Sequence, residues 1–136
     1  MTDSRLASEV CAFFERYNEA FASIDGRQIA ALYCTPTVTM RGDGSVHCFQ
    51  SQEELALFFQ SVADSYKKDG YSTGTFSDLQ VTAIGGRSAL ATMDWEMLRH
   101  NGSLIRKWRQ SYNIVRAASG WQILVSTFHI PGAVGT

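Results

Sequence analysis

Two neighbouring segments near the C-terminus of the 136-residue chain carry acidic and basic side chains at alternate positions. Asp94 and Glu96 lie on the first segment, and Arg109 lies on the second. A guanidinium group keeps a neighbouring carboxylate ionised, whereas burial makes a second carboxyl group a proton donor. If the three side chains share a buried site, they are candidates for acid/base catalysis. A structural network of ion pairs is the alternative interpretation of the same residues.

The turn between these segments predicts how they pair. Asn101-Gly102 between two strand-like runs is a strong hairpin signal, and a two-residue loop places Trp95 opposite Trp108. In the same register, Asp94 pairs with Arg109 and Glu96 with Lys107. Because side chains alternate along a strand, one face becomes aromatic and the other polar. The aromatic face comprises Met93, Trp95, Met97, Trp108 and Tyr112. The polar face comprises Thr92, Asp94, Glu96, Lys107, Arg109, Ser111 and Asn113.

The elements that must position these residues follow from the apolar periodicity. Apolar side chains at steps of three and four predict an amphipathic helix over residues 6–21. Asp25 with Gln28, and Ser51 with Glu54, have the spacing of capping boxes, so two more helices are expected to begin there. Strands are predicted over residues 37–41, 46–49, 73–84, 88–99, 103–116 and 121–130. This order predicts an α+β fold in a single domain over residues 1–136, with a curved antiparallel sheet wrapped around three helices.

Five segments occur in an order and spacing typical of one fold family. They are Phe13-Phe14-Glu15-Arg16-Tyr17, Ile29-Ala30-Ala31-Leu32-Tyr33, Thr37-Val38-Thr39, the helix capped at Ser51, and Ser119-Gly120-Trp121-Gln122-Ile123. Together they resemble the nuclear-transport-factor-2-like superfamily, which includes SnoaL-like and ketosteroid-isomerase-like proteins. The resemblance covers nearly the whole chain and implies a cystatin-like cone with a pocket. It implies no single reaction, because members of the superfamily include several kinds of enzyme and non-catalytic modules.

The resemblance also suggests residues that could contact a ligand. Tyr17 is similar to the first-helix tyrosine that ketosteroid isomerases use as a hydrogen-bond donor. The general base and the second acid of those isomerases fall near Arg41 and Ser111, and neither residue is an acid. Steroid isomerisation by that mechanism is therefore not expected. The candidate ligand-binding residues are Tyr17, Arg41, Phe58, Ser111 and Asn113.

The sheet can be placed in two ways, which exchange its two faces. Simple burial turns the Trp95 face inward and leaves ion pairs in solvent, each worth under about 1 kcal/mol and implying no chemistry. Positional matching to the superfamily instead turns the polar face inward, and we take this placement as the working hypothesis. The aromatic face would then lie outside, where it calls for a partner. Homodimerisation is accordingly expected through Trp95, Trp108 and Tyr112.

Composition excludes several classes of partner. A net charge of -1 argues against general capture of nucleic acid or anionic membranes. No run approaches the roughly 18 to 20 apolar residues of a membrane span. The three cysteines form no CxxC motif, so a cytoplasmic location is expected. No metal-ligand spacing or phosphate-binding glycine motif occurs, and neither a metal nor a cofactor is expected.

The leading hypothesis is a homodimeric protein that binds a small apolar or amphipathic molecule. Its pocket would combine apolar walls with a few orienting polar groups. The first alternative is a cofactor-independent acid/base enzyme of the cyclase, dehydratase, isomerase or epoxide-hydrolase type, using Asp94, Glu96 and Arg109. The second alternative is a non-catalytic assembly module.

Overall fold

A long amphipathic helix opens the computed structural model, which describes residues 4–132. This helix, α1, spans Ser4–Ala22 and confirms the prediction from the apolar periodicity. Its apolar stripe is buried against the rest of the protein, because side chains three and four positions apart share one helix face. The buried members of the stripe are Val10, Phe13, Phe14, Tyr17, Ala20 and Phe21.

Two further helices begin at the predicted caps. The Asp25 carboxylate accepts the backbone N–H groups of Arg27 and Gln28 at the start of α2 (Gly26–Ala30). The Ser51 hydroxyl accepts the backbone N–H of Glu54 at 3.2 Å, at the start of α3 (Gln52–Lys68). These bonds satisfy N–H groups that the first turn of a helix leaves without a partner.

A six-stranded sheet forms the rest of the fold. Its strands are β1 (Tyr33–Met40), β2 (Val46–Phe49), β3 (Tyr71–Ile84), β4 (Ser88–Arg99), β5 (Leu104–Ala117) and β6 (Gly120–Phe128). Their order across the sheet is β2-β1-β6-β5-β4-β3. Neighbours are antiparallel except β1 and β6, which run parallel and join the N-terminal hairpin to the C-terminal meander. The predicted α+β class is confirmed, and the predicted antiparallel sheet contains this one parallel pair.

The predicted strand register is confirmed, but the predicted loop is wrong. Trp95 lies opposite Trp108, and Asp94 lies opposite Arg109. The loop has three residues, since the Arg99 N–H bonds the Ser103 carbonyl oxygen and Gly102 adopts a φ of 85°. A bulge after Leu104 then shifts the pairing by one residue and restores the predicted register. A three-residue loop with a left-handed glycine and a compensating bulge is a common hairpin solution.

The aromatic face of the sheet points inward, so the working hypothesis for the sheet is wrong. Trp95 is 4% exposed and Tyr112 is 1% exposed. The Trp95 ring lies 5.8 Å from that of Tyr17, and the Tyr112 ring lies 4.8 Å from that of Phe14. Turning the polar face inward would instead remove several charges from water, at a cost of several kcal/mol for each ion.

This orientation also corrects the predicted dimer interface. Trp95 and Tyr112 pack against α1 of their own subunit. Trp108 is half-buried, and its ring stacks on Phe128 at 6.4 Å between centroids. Trp95 and Tyr112 therefore belong to the interior of one subunit, and Trp108 lies partly buried on the same inward face. No helix within residues 4–132 is long and apolar enough to cross a membrane.

Candidate functional site

A cavity of about 460 Å³ lies between the inner face of the sheet and the helices α1 and α3. Its walls are largely aromatic, because the helical stripes and the inward sheet face both supply rings. The rings from the helices are Tyr17, Phe21, Phe58, Phe59 and Tyr66. The rings from the sheet are Tyr33, Tyr71, Trp95, Trp108, Tyr112 and Phe128.

Spacing within each element explains why these rings converge. On α3, Phe58, Phe59, Val62 and Tyr66 follow one another at steps that keep them on one helix face. On β5, every second side chain from Trp108 to Tyr112 points to the same side of the sheet. One face of α3 and one face of β5 therefore both supply rings to the cavity.

Two hydrogen-bonded pairs of ring groups lie in the buried part of the cavity. The Trp95 indole N–H donates to the Tyr112 hydroxyl at 3.0 Å, and the hydroxyls of Tyr17 and Tyr33 are 2.8 Å apart. The two pairs adjoin, with 5.8 Å between the ring centroids of Tyr112 and Tyr17. They contain four donor hydrogens and make two hydrogen bonds. One hydroxyl hydrogen of each pair therefore remains for an acceptor inside the cavity.

The phenol groups of these two pairs stay protonated at neutral pH. Burial raises the pKa of Tyr17, Tyr33 and Tyr112 well above the ordinary value, because the low-dielectric interior disfavours the phenolate. Burial also raises the pKa of Tyr71 to about 12. The tyrosines in the cavity are consequently neutral hydrogen-bond donors.

Two further polar contacts lie on the cavity wall. The hydroxyls of Thr39 and Ser126 are 2.7 Å apart on the paired strands β1 and β6, and both residues are buried. Asn18 donates to the Gly74 carbonyl oxygen at 2.7 Å, which ties α1 to β3 beside the cavity. A Cβ at Gly74 would lie 2.9 Å from the Asn18 Oδ1 atom, so a larger residue here would displace the Asn18 amide.

The exposed residues of the cavity lining define its mouth. They are Arg41, Gly42, Asp43 and Arg106. The Arg41 guanidinium lies 5.3 Å from the Phe58 ring centroid, and that of Arg106 lies 5.8 Å from the Tyr66 ring centroid. The cavity is thus aromatic at depth and carries charged groups at the entrance.

The predicted catalytic residues do not meet inside the cavity. Arg109 binds Asp94 and Asp78, each at 3.0 Å, on the outer face of the sheet. Glu96 lies on the cavity wall, but its side chain alternates outward with that of Asp94, since Trp95 between them points inward. The expected buried carboxylate–guanidinium group is therefore an outer-face ion pair.

Of the predicted ligand-binding residues, Tyr17, Arg41 and Phe58 line the cavity. Ser111 and Asn113 lie on the outer face, where alternation directs them away from Tyr112. Ser111 is hydrogen-bonded to His129 and Thr92, each at 2.7 Å. Asn113 donates to the hydroxyl of Ser88 at 2.8 Å. The assignment of Ser111 and Asn113 to the cavity is therefore wrong, for the same reason that applies to Asp94.

Sequence reasoning missed several residues of the cavity, among them Tyr33, Tyr112, Trp108 and Arg106. Tyr112 and Trp108 were assigned to the correct strand face, and only the direction of that face was wrong. Arg106 lies two positions before Trp108 on β5, so the alternation of side chains could have placed it on the same face of the sheet. No local signal identifies Tyr33, whose hydroxyl meets that of Tyr17 only through the packing of β1 against α1.

The described part of the chain holds no cluster of three His, Cys, Asp or Glu side chains that could bind a metal ion. No histidine is found among the described residues that line the cavity, and its acidic members are Asp43 and Glu96. The groups available for chemistry at depth are therefore neutral hydroxyl, indole and amide groups.

Comparisons with known proteins agree with this architecture. A family model described as "NTF2-like protein (DUF6841)" matches residues 8–131. No curated protein sequence is significantly similar to the chain.

Solved structures resemble the chain in fold at low sequence identity. A domain of unknown function with a cystatin-like fold from Nostoc punctiforme is 19% identical, with a TM-score of 0.73 over 98% of this chain and 82% of that one. The protein Aln2 from a Streptomyces species is 16% identical, with a TM-score of 0.76 over 96% of this chain and 94% of that one. An NTF2-like protein from Novosphingobium aromaticivorans is 15% identical, with a TM-score of 0.74 over 96% and 83% of the two chains.

Proposed function

The chain belongs to the NTF2-like family DUF6841, and from this premise we propose that it binds a small, largely aromatic molecule in its aromatic cavity. The observation that carries the proposal is the cavity of about 460 Å³ with spare hydroxyl donors at depth. Ligand sites are usually concave, mostly apolar and of roughly 300 to 1,000 Å³, with few polar groups that fix orientation.

The shape of the walls favours a ligand that contains rings. Rings of Phe58 and Phe59 lie 5.1 Å apart, and the parallel rings of Trp108 and Phe128 form the opposite wall. Flat side chains of this kind favour offset-stacked or edge-to-face contacts with an aromatic guest. A spare hydroxyl donor of Tyr112 or of the Tyr17–Tyr33 pair would bind a carbonyl or ether oxygen of that guest.

The geometry of the cavity supports ligand binding better than it supports acid/base catalysis. Its predicted residues, Asp94 and Arg109, form an ion pair outside the cavity. The buried tyrosines have raised pKa values, so they are poor proton acceptors or donors for chemistry near pH 7. The proposal is therefore binding and orientation of a ligand.

Fluorescence of a neutral aromatic probe, N-phenylnaphthylamine, tests this function. We expect saturable binding with enhanced emission, because the probe enters an apolar cavity lined by Trp95 and Trp108. Val62→Trp fills the cavity from α3 and should weaken binding by at least about tenfold, the equivalent of roughly 1.4 kcal/mol. The matched control is Leu57→Trp, since Leu57 lies on the same helix but is 70% exposed, whereas Val62 is 8% exposed.

Equal probe binding by wild type and a folded Val62→Trp protein would contradict the proposal. The melting temperature of each variant identifies those that fold. Val62→Met fills less of the cavity and serves if the tryptophan variant does not fold.

We also propose that the protein forms a homodimer through the outer face of the sheet. Asp94 and Arg109 lie side by side there, so a two-fold axis can bring the acid of one subunit to the base of the other. Leu90, which is 40% exposed on β4, alternates to the same face and adds apolar area.

Sedimentation equilibrium tests the dimer. We expect wild type to be dimeric at tens of micromolar and Arg109→Glu to be largely monomeric, because the variant places like charges across the interface. Lys68→Glu, which makes the same charge change at the exposed end of α3, should stay dimeric. A monomeric wild type would contradict the proposed interface.

A further inference from the structure

We propose that the ligand of the cavity is an organic anion, with its aromatic body at depth and its oxyanion group held at the mouth by Arg41 and Arg106. The inference rests on the proposed function and adds the chemical class of the ligand. An oxyanion here means a carboxylate, sulfonate or phosphate group, which offer the same acceptor oxygens to a guanidinium group.

Arg41 is held at the mouth by an aromatic contact. It directly follows β1, and its guanidinium carbon lies 5.3 Å from the centroid of the Phe58 ring on α3. A guanidinium group that lies over a ring uses its face for the ring and leaves its N–H edges for acceptors. Arg41 is therefore positioned at the entrance with donors still available.

Arg106 reaches the same entrance from the sheet. Its guanidinium carbon lies 5.8 Å from the Tyr66 ring on α3 and 5.9 Å from the Trp108 ring on β5. It thus spans the gap between helix and sheet. Burial raises the pKa of Tyr66, and the positive charges of Arg106 and Arg41 each partly oppose that rise. The two guanidinium groups therefore act on one region of the mouth.

Neither arginine is neutralised by an ion pair with a residue of the described chain. Asp43 is the acid at the mouth. Its carboxylate accepts the backbone N–H and the hydroxyl of Ser45, at 2.9 and 2.6 Å, and interacts with Arg41 only at a longer distance than an ion pair. The two guanidinium groups at the aromatic entrance therefore have no carboxylate partner within ion-pair distance among the described residues. An anionic group of the ligand would satisfy both.

A matched pair of fluorescent probes tests the inference. The sulfonate ANS carries the ring system of N-phenylnaphthylamine plus one anionic group, so the pair differs chiefly in charge. We expect wild type to bind ANS at least about tenfold more tightly than the neutral probe, since bonds to charged groups contribute more than neutral ones. The advantage of ANS should shrink as salt is added, because the arginines lie at the solvent-exposed mouth.

Substitution of the arginines assigns the effect to the mouth. Arg41→Gln and Arg106→Gln should each weaken ANS by about tenfold and leave the neutral probe within about twofold. Arg87→Gln is the control, because it removes the same charge at an exposed turn that does not line the cavity. Arg41→Lys should restore part of the ANS affinity, since it restores the charge without the planar guanidinium group.

The outcomes separate this inference from the proposed function. Equal affinity for both probes in wild type, or ANS affinity unchanged in both arginine variants, would overturn the anion assignment while cavity binding stands. If ANS and the neutral probe both bind a folded Val62→Trp protein as they bind wild type, the cavity itself is not the site. In that case the proposed function and the inference fail together.

Discussion

Replacing Gly26 with alanine is expected to destabilise the protein by about 3 kcal/mol or more. A Cβ at this first residue of α2 would lie 2.6 Å from the backbone nitrogen of Gln60 and would also collide with the carbonyl oxygen of Ala56. Both atoms belong to the backbone of α3, so relief requires the two helices to move apart. The helix propensity of alanine gains only about 1 kcal/mol, and the collision therefore dominates.

Urea denaturation of Gly26→Ala measures this effect. The matched control is Gly86→Ala, because at Gly86 no heavy atom of the described residues lies within 4 Å of the added Cβ and φ is not left-handed. A Gly26→Ala protein within about 1 kcal/mol of wild type would show that α2 packs more loosely on α3 than these distances require.

The substitution should also impair the cavity. The Gly26 N–H donates to Gln60 Oε1 at 2.8 Å, and the Gln60 side chain also bonds the Ile24 carbonyl oxygen at 3.1 Å. These bonds fix α3, which carries Phe58 and Val62 on the cavity wall. Any folded fraction of Gly26→Ala is therefore expected to bind N-phenylnaphthylamine more weakly than wild type.

Alkaline pH is expected to unfold the protein in one cooperative step. All five tyrosines have raised pKa values, with burial as the largest cause in each case. In the unfolded chain a tyrosine titrates near pH 10, so the unfolded state loses protons that the native state keeps. The stabilisation is complete below about pH 10 and is lost as the pH rises through the native values. Over that window each tyrosine lowers the free energy of unfolding by up to about 1.4 kcal/mol per pH unit.

Tyrosinate absorbance and near-ultraviolet circular dichroism, followed together, measure this transition. We expect little tyrosinate at pH 10 while the native signal persists, and then coincident ionisation and unfolding at higher pH. Tyr71→Phe removes the group whose pKa is raised to about 12 and should make the loss of stability with pH shallower. Native circular dichroism with several tyrosines ionised near pH 10 would contradict the burial of these hydroxyl groups.

Local signals in the sequence predicted the starts of two helices because caps depend on neighbouring residues. Asp25 and Ser51 bond N–H groups two or three residues away, so chain order alone brings the partners together. The pairing of Trp95 with Trp108 was predicted correctly although the loop was misjudged. The three-residue loop shifts the pairing by one residue, and the bulge shifts it back. Both features depend on the twist of the sheet, which the spacing of residues along the sequence does not reveal.

The sequence by itself determined that β4 and β5 have one aromatic face and one charged face, since alternation requires no partner beyond the neighbouring strand. Only the tertiary structure decided which face is inside. The apolar stripes of α1 and α3 need an apolar surface to cover them, and the Trp95 face meets that need while the ion pair of Asp94 and Arg109 stays partly exposed to solvent. The same packing brings the Tyr17 hydroxyl to that of Tyr33 and the Trp95 indole to the Tyr112 hydroxyl, although these partners are far apart in the sequence. The cavity and its candidate ligand therefore depend on how the helices α1 and α3 pack on the sheet, and local sequence patterns do not predict that packing.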